Sequence, residues 1–141
     1  MIILVINCGS SSIKYQLLDM KSDEVYDLLA KGIVEKIGLE TGRLQHTVIG
    51  KDKVVKDLPV PDHKVGMKLV LEALTDSEHG VLKSLDDIEA VGHRIVHGGE
   101  FFSSSALVNE DVMKKIEICC DFAPLHNPAH ILGIRAVQHV L

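Results

Sequence analysis

The sequence predicts an α/β domain built on a mixed sheet with flanking helices. Three observations carry this. Apolar runs of strand length crowd residues 2–55, helical periodicity takes over after Asp62, and another strand-length run returns at 88–92 between two helical stretches.

The elements follow in order. Residues 2–6 are continuously apolar and read as a buried strand, and 13–18 form a second. The polar stretch Asn7-Cys8-Gly9-Ser10-Ser11-Ser12 between them makes a hairpin. Residues 25–37 read as further strand, and 44–49 alternate as a half-buried strand should. Val54-Val55 and the prolines 59 and 61 close this β section. Asp62 is the expected N-cap of a helix whose apolar face carries Leu69, Val70, Ala73 and Leu74. Residues 88–92 read as a strand running toward a glycine turn at Gly98-Gly99. Asn109 caps a helix burying Val112, Met113, Ile116, Cys119 and Cys120. Asn127-Pro128 starts a last helix, N-cap then proline at the first helical position. An antiparallel-edged sheet is the expectation.

Composition excludes several function classes. The 141 residues suffice for one core, and 46% hydrophobic against 25% charged residues argues against disorder. A net charge of -5 and pI of about 5.9 argue against nucleic-acid or anionic-membrane binding by bulk charge. With aromatics at 4% and no tryptophan there is no stacking platform for single strands. No apolar run approaches the ~20 residues of a membrane span. Cys8, Cys119 and Cys120 are a poor disulfide framework, which points to a reducing cytosol.

Three loops carry candidate chemistry. In Asn7-Cys8-Gly9-Ser10-Ser11-Ser12-Ile13-Lys14 a glycine permits close approach, serines offer hydroxyl donors and a lysine brings mobile positive charge. This suits phosphate oxygens, and equally a polar hairpin turn; it is not a Walker A loop. In Gly92-His93-Arg94-Ile95-Val96-His97-Gly98-Gly99 the Arg94 fork suits a carboxylate or phosphoryl group, or a structural ion pair. In Phe122-Ala123-Pro124-Leu125-His126-Asn127-Pro128 the histidine stands ahead of a helix start, where anions are favoured, or serves the loop itself. His93 and His97, like His126 and His130, have a spacing that could suit zinc, but no cysteine or carboxylate accompanies either pair.

Taken together and in this order, the three loops resemble those of the acetate kinase family, across essentially the whole chain. The resemblance implies a ribonuclease H-like domain of the acetate and sugar kinase/actin superfamily. It also implies reversible, direct in-line transfer of the ATP γ-phosphoryl to the carboxylate of acetate, with Mg2+, in a cytoplasmic homodimer. By matching positions it implies Asn7 near the metal, Ser10, Ser12 and Lys14 facing phosphate, and Arg94, His126 and Lys14 as catalytic residues. Arg94, Val96 and Leu125 would then bind the substrate, the latter two around its methyl group. His130 departs from the family, which usually has asparagine there.

The last helix is still apolar at Val137, Val140 and Leu141, with no glycine cap. This reads as a truncation, and the resemblance, which implies two related domains and further site residues beyond Leu141, adds the expectation that residues 1–141 make up most of the first domain and are inactive alone. Propionate kinase and a non-catalytic anion-binding or assembly module are the rival readings.

Overall fold

A computed structural model describes residues 1–95, 104–121 and 127–140. Six strands form one mixed sheet in the order β5-β4-β3-β2-β1-β6. These are β1 (Ile2–Cys8), β2 (Ile13–Met20), β3 (Tyr26–Glu35), β4 (Gly42–Val48), β5 (Val54–Leu58) and β6 (Ala90–His93). The first five make an antiparallel meander, and β6 lies parallel to β1, pairing Ile3 with Ala90 and Ile6 with His93. The expected antiparallel edge is thus present at β5, while the opposite edge among the described residues is parallel.

Alternation sorts the two faces of the sheet. Leu4, Ile6 and Cys8 pair across to Leu17, Tyr15 and Ile13, and all are buried on one face with Ala30, Val34 and Leu44. Helix α1 (His63–Thr75) and helix α3 (Asn127–Val140) pack on that face, α1 bringing Met67, Val70 and Leu74 and α3 bringing Ala136. Helix α2 (Glu110–Ile118) adds a smaller cluster, Met113 and Ile116 against Ile134. The opposite face carries Asn7, Lys14, Gln16, Lys31, Gln45 and Thr47, and remains half-buried to exposed.

Local signals hold well. The Asp62 carboxylate accepts from Val65 N at 2.8 Å and the Asn109 side chain from Val112 N at 2.9 Å, so both caps form. Other boundaries shift for identifiable reasons. The third strand ends at Glu35 rather than Ile37, because Lys36 turns into the left-handed region at φ 59°. The buried face of α1 runs through His63, Gly66, Met67, Val70, Leu71 and Leu74, leaving Leu69 and Ala73 at its rim. The strand expected at 88–92 begins at Ala90, because Ser84 and Asp87 close a capping box on a short 3-10 turn, Leu85–Asp87, that uses Ile88 as its exit. Cys119 is buried as expected, but it and the half-buried Cys120 belong to a 3-10 turn after α2. Asn127 is the first residue of α3, one position inside the expected cap.

Candidate active site

The hairpin between β1 and β2 is held on three sides. Gly9 N donates to Ser12 O at 2.9 Å, closing the turn. The Ser11 carbonyl accepts from Ile37 N at 2.9 Å, and the Gly9 carbonyl accepts from His63 Nε2 at 2.8 Å. A Cβ on Gly9 would stand 2.8 Å from Ser12 Oγ, a hydroxyl that would have to turn aside to admit it. Ser10 and Ser11 are exposed and Ser12 is half-buried. The tethers on the backbone leave these hydroxyls presented from a fixed frame, the preorganisation that anion recognition requires.

Asn7 and Lys14 are cross-strand partners at the same end of the sheet, both on its open face. With Val5, Gln16, Lys31 and Thr47 they line a shallow basin of about 450 Å³. Arg94 reaches this end by a different route. Parallel pairing places His93 beside Ile6, and Arg94 N then donates to Ile6 O at 3.1 Å. Asn7, the hairpin loop and Arg94 therefore gather at the carboxyl ends of two parallel strands, where ligands bind open α/β sheets.

Charge pairing separates the arginines. Arg43 is held by Asp57 at 2.8 Å and Arg135 by Glu110 at 2.7 Å. The exposed Arg94 makes no ion pair among the described residues. The structural-pair alternative thus has no partner there. Arg94 lines a second cavity of about 830 Å³ with Ile95, Leu107, Val108, Val112 and Ile134. Val96, Leu125 and His126 lie outside the described residues.

Two buried histidines, His46 and His63, carry no signal in the sequence that marks their roles, and a third, His93, takes a partner that its spacing does not suggest. His63, which follows an N-cap, is buried and anchors the hairpin. His46 bonds the Tyr15 hydroxyl through Nδ1 at 2.5 Å, and burial lowers its pKa. His93 meets His130 edge-on, ring centroids 5.6 Å apart, and burial pushes it down to about 4. That pairing differs from both sequence-local spacings considered for zinc. Among the described residues, no group of three or more His, Cys, Asp or Glu is placed to hold a metal. Burial pushes the Cys8 thiol up to about 12, so it is protonated and no nucleophile at neutral pH. Among the described residues, no helix is long and apolar enough to cross a membrane.

Comparison with known proteins matches this frame. The model of the Acetokinase family matches residues 2–141. An acetate kinase of Clostridium acetobutylicum is 56% identical over 138 residues, covering 98% of this chain and 33% of that protein. The crystal structure of Porphyromonas gingivalis acetate kinase superposes with a TM-score of 0.94 at 45% identity, covering 99% of this chain and 34% of that one. A propionate kinase from Francisella tularensis gives a TM-score of 0.85 at 39% identity, with the same coverage. The chain spans about a third of the length of the relatives it matches.

Proposed function

The chain belongs to the acetokinase family, and on that premise we propose that it takes part in reversible transfer of the ATP γ-phosphoryl group to the carboxylate of acetate. The observation that carries this reading is the meeting of the tethered 9–12 hairpin, Asn7 and Arg94, free of ion pairs among the described residues, at one end of the sheet. The fold agrees with it, being the mixed α/β frame of the acetate and sugar kinase/actin superfamily.

The chemistry asks little covalent help from the protein. An acetate oxygen attacks the γ-phosphorus as the bond to the bridging oxygen of ADP breaks, and the transferring group spreads charge over its equatorial oxygens. The carboxylate is already a nucleophile, so no general base is needed. Ser10, Ser12 and Lys14 would face the nucleotide phosphates. Arg94 would bind the carboxylate and offset charge on the moving phosphoryl group, which His126 would hydrogen-bond. Val96 and Leu125 would wall the methyl pocket.

Mg2+ fits this set in a limited way. Asn7 and the two serines offer neutral oxygens, which suit a hard cation carried in by phosphates and water rather than caged by protein. Such an ion would neutralise phosphate charge; Asn7 would hold its shell from the open face. The family premise further supports a cytoplasmic homodimer, with residues 1–141 as most of the first of two domains.

The test is a graft. This chain replaces the matching third of the Clostridium acetobutylicum acetate kinase, and acetyl phosphate formed from ATP, magnesium and acetate is trapped as the hydroxamate. Turnover is expected. A folded graft without turnover that still binds phosphate would favour the non-catalytic anion-binding reading. A higher kcat/KM for propionate than for acetate would favour the propionate kinase reading.

A further inference from the structure

The direction in which Arg94 leaves β6 is set from behind. The His93 ring turns back on the next residue, its Nδ1 lying 2.8 Å from the Arg94 carbonyl oxygen. A carbonyl oxygen only accepts, so Nδ1 carries the proton and Nε2 of the neutral ring is a bare acceptor. That Nε2 is shielded from solvent and has no hydrogen-bond partner among the described residues. It faces the backbone of α3, where a Cβ on Gly133 would overlap both His93 Nε2 and Cys8 Sγ. Buried His130, on the same helix, closes the ring's edge.

A packing role alone does not account for this side chain. An apolar residue of similar shape would fill the space without shielding an unsatisfied nitrogen. What the imidazole adds is one donor, and that donor goes to Arg94. We propose that His93 is a positioning residue for Arg94, clamped by Cys8, His130 and Gly133 so that its Nδ1–H fixes the Arg94 backbone and hence where the guanidinium emerges. The proposal rests on the catalytic role assigned to Arg94 above. It also gives the unusual His130 a place, as the helix-borne wall of the clamp.

Two experiments test it. In the Clostridium graft, His93→Leu fills the space without a donor, while His93→Asn puts an amide N–H at the Nδ1 position. His93→Leu is expected to lower kcat by about tenfold to hundredfold with KM for ATP little changed, the scale of a small misplacement of a catalytic group, and His93→Asn to recover to within about threefold. Equal loss in both variants, or parallel loss of stability and ATP affinity, would overturn the positioning role. Histidine 15N correlation spectra of this chain itself report the tautomer without any assay of activity. The Nδ1–H form is expected for His93, and the Nε2–H form overturns the clamp. Full turnover in an Arg94→Ala graft would instead remove the role assigned to Arg94, leaving the tautomer result to judge the clamp.

Discussion

Acid should unfold this chain partly through one imidazole. Burial is the main cause that takes His93 from 6.5 down to about 4; its bond to the Arg94 carbonyl opposes the shift, and His130 adds to it. Between those two values the unfolded chain binds a proton that the folded chain refuses. Stability therefore rises with pH across this window, and is lost as pH falls from 6.5 toward 4. Working the two values through linkage, a drop from about pH 7.5 to about pH 4.5 removes about 2.5 kcal/mol through this group. Cys8, the other buried neighbour, stays neutral throughout, its thiol being pushed up to about 12. His93→Asn does not titrate and is the natural reference: every other acid and base is present in both proteins, and His130, the one coupled to His93, is the one whose surroundings change. Urea unfolding of this chain and of the variant, followed by circular dichroism at both pH values, isolates the difference. The wild-type chain should lose about 2.5 kcal/mol more than the variant on acidification. Parallel losses would refute the reasoning and mean that the folded chain protonates His93 freely.

Three further expectations are simpler. Asp62→Ala removes the acceptor for Val65 N and should cost about 1 kcal/mol in urea unfolding. His63→Ala frees the Gly9 carbonyl and so loosens the hairpin; in the graft it should raise KM for ATP about tenfold, with a smaller change in kcat. Val96→Ala in the graft should raise propionate relative to acetate in kcat/KM by roughly tenfold if it walls the methyl pocket, one methylene being worth about 1–3 kcal/mol.

Local chemistry made much of this fold legible in the sequence. The β1–β2 hairpin follows from two apolar runs around a glycine-serine turn, and the Asp62 and Asn109 caps follow from side chains reaching backbone within their own first turn. Asn7, Ser12 and Lys14 were readable as one unit for the same reason. Arg94 was readable as a fork near a strand end, but its arrival beside the hairpin depends on the parallel pairing of β6 with β1, which no local pattern encodes. The His63 bond to Gly9 crosses 54 positions of chain, and the His93–His130 contact joins a strand to a helix. Such contacts are set by tertiary packing, and a lone histidine carries no mark of its partner. The end of β3 is not legible in the sequence, because Lys36, a residue with no special liking for positive φ, makes the turn.

The proposed transfer rests on Arg94 as the charge that the moving phosphoryl group would meet. The most direct measurement is kcat for acetyl phosphate formation by the Clostridium graft and by its Arg94→Ala variant, at saturating ATP and acetate and with matched thermal unfolding. Removing this guanidinium should lower kcat by about a thousandfold while ATP affinity changes little, as expected when charge stabilisation of the transition state is lost. A folded Arg94→Ala graft that turns over at nearly the rate of its parent would contradict the account.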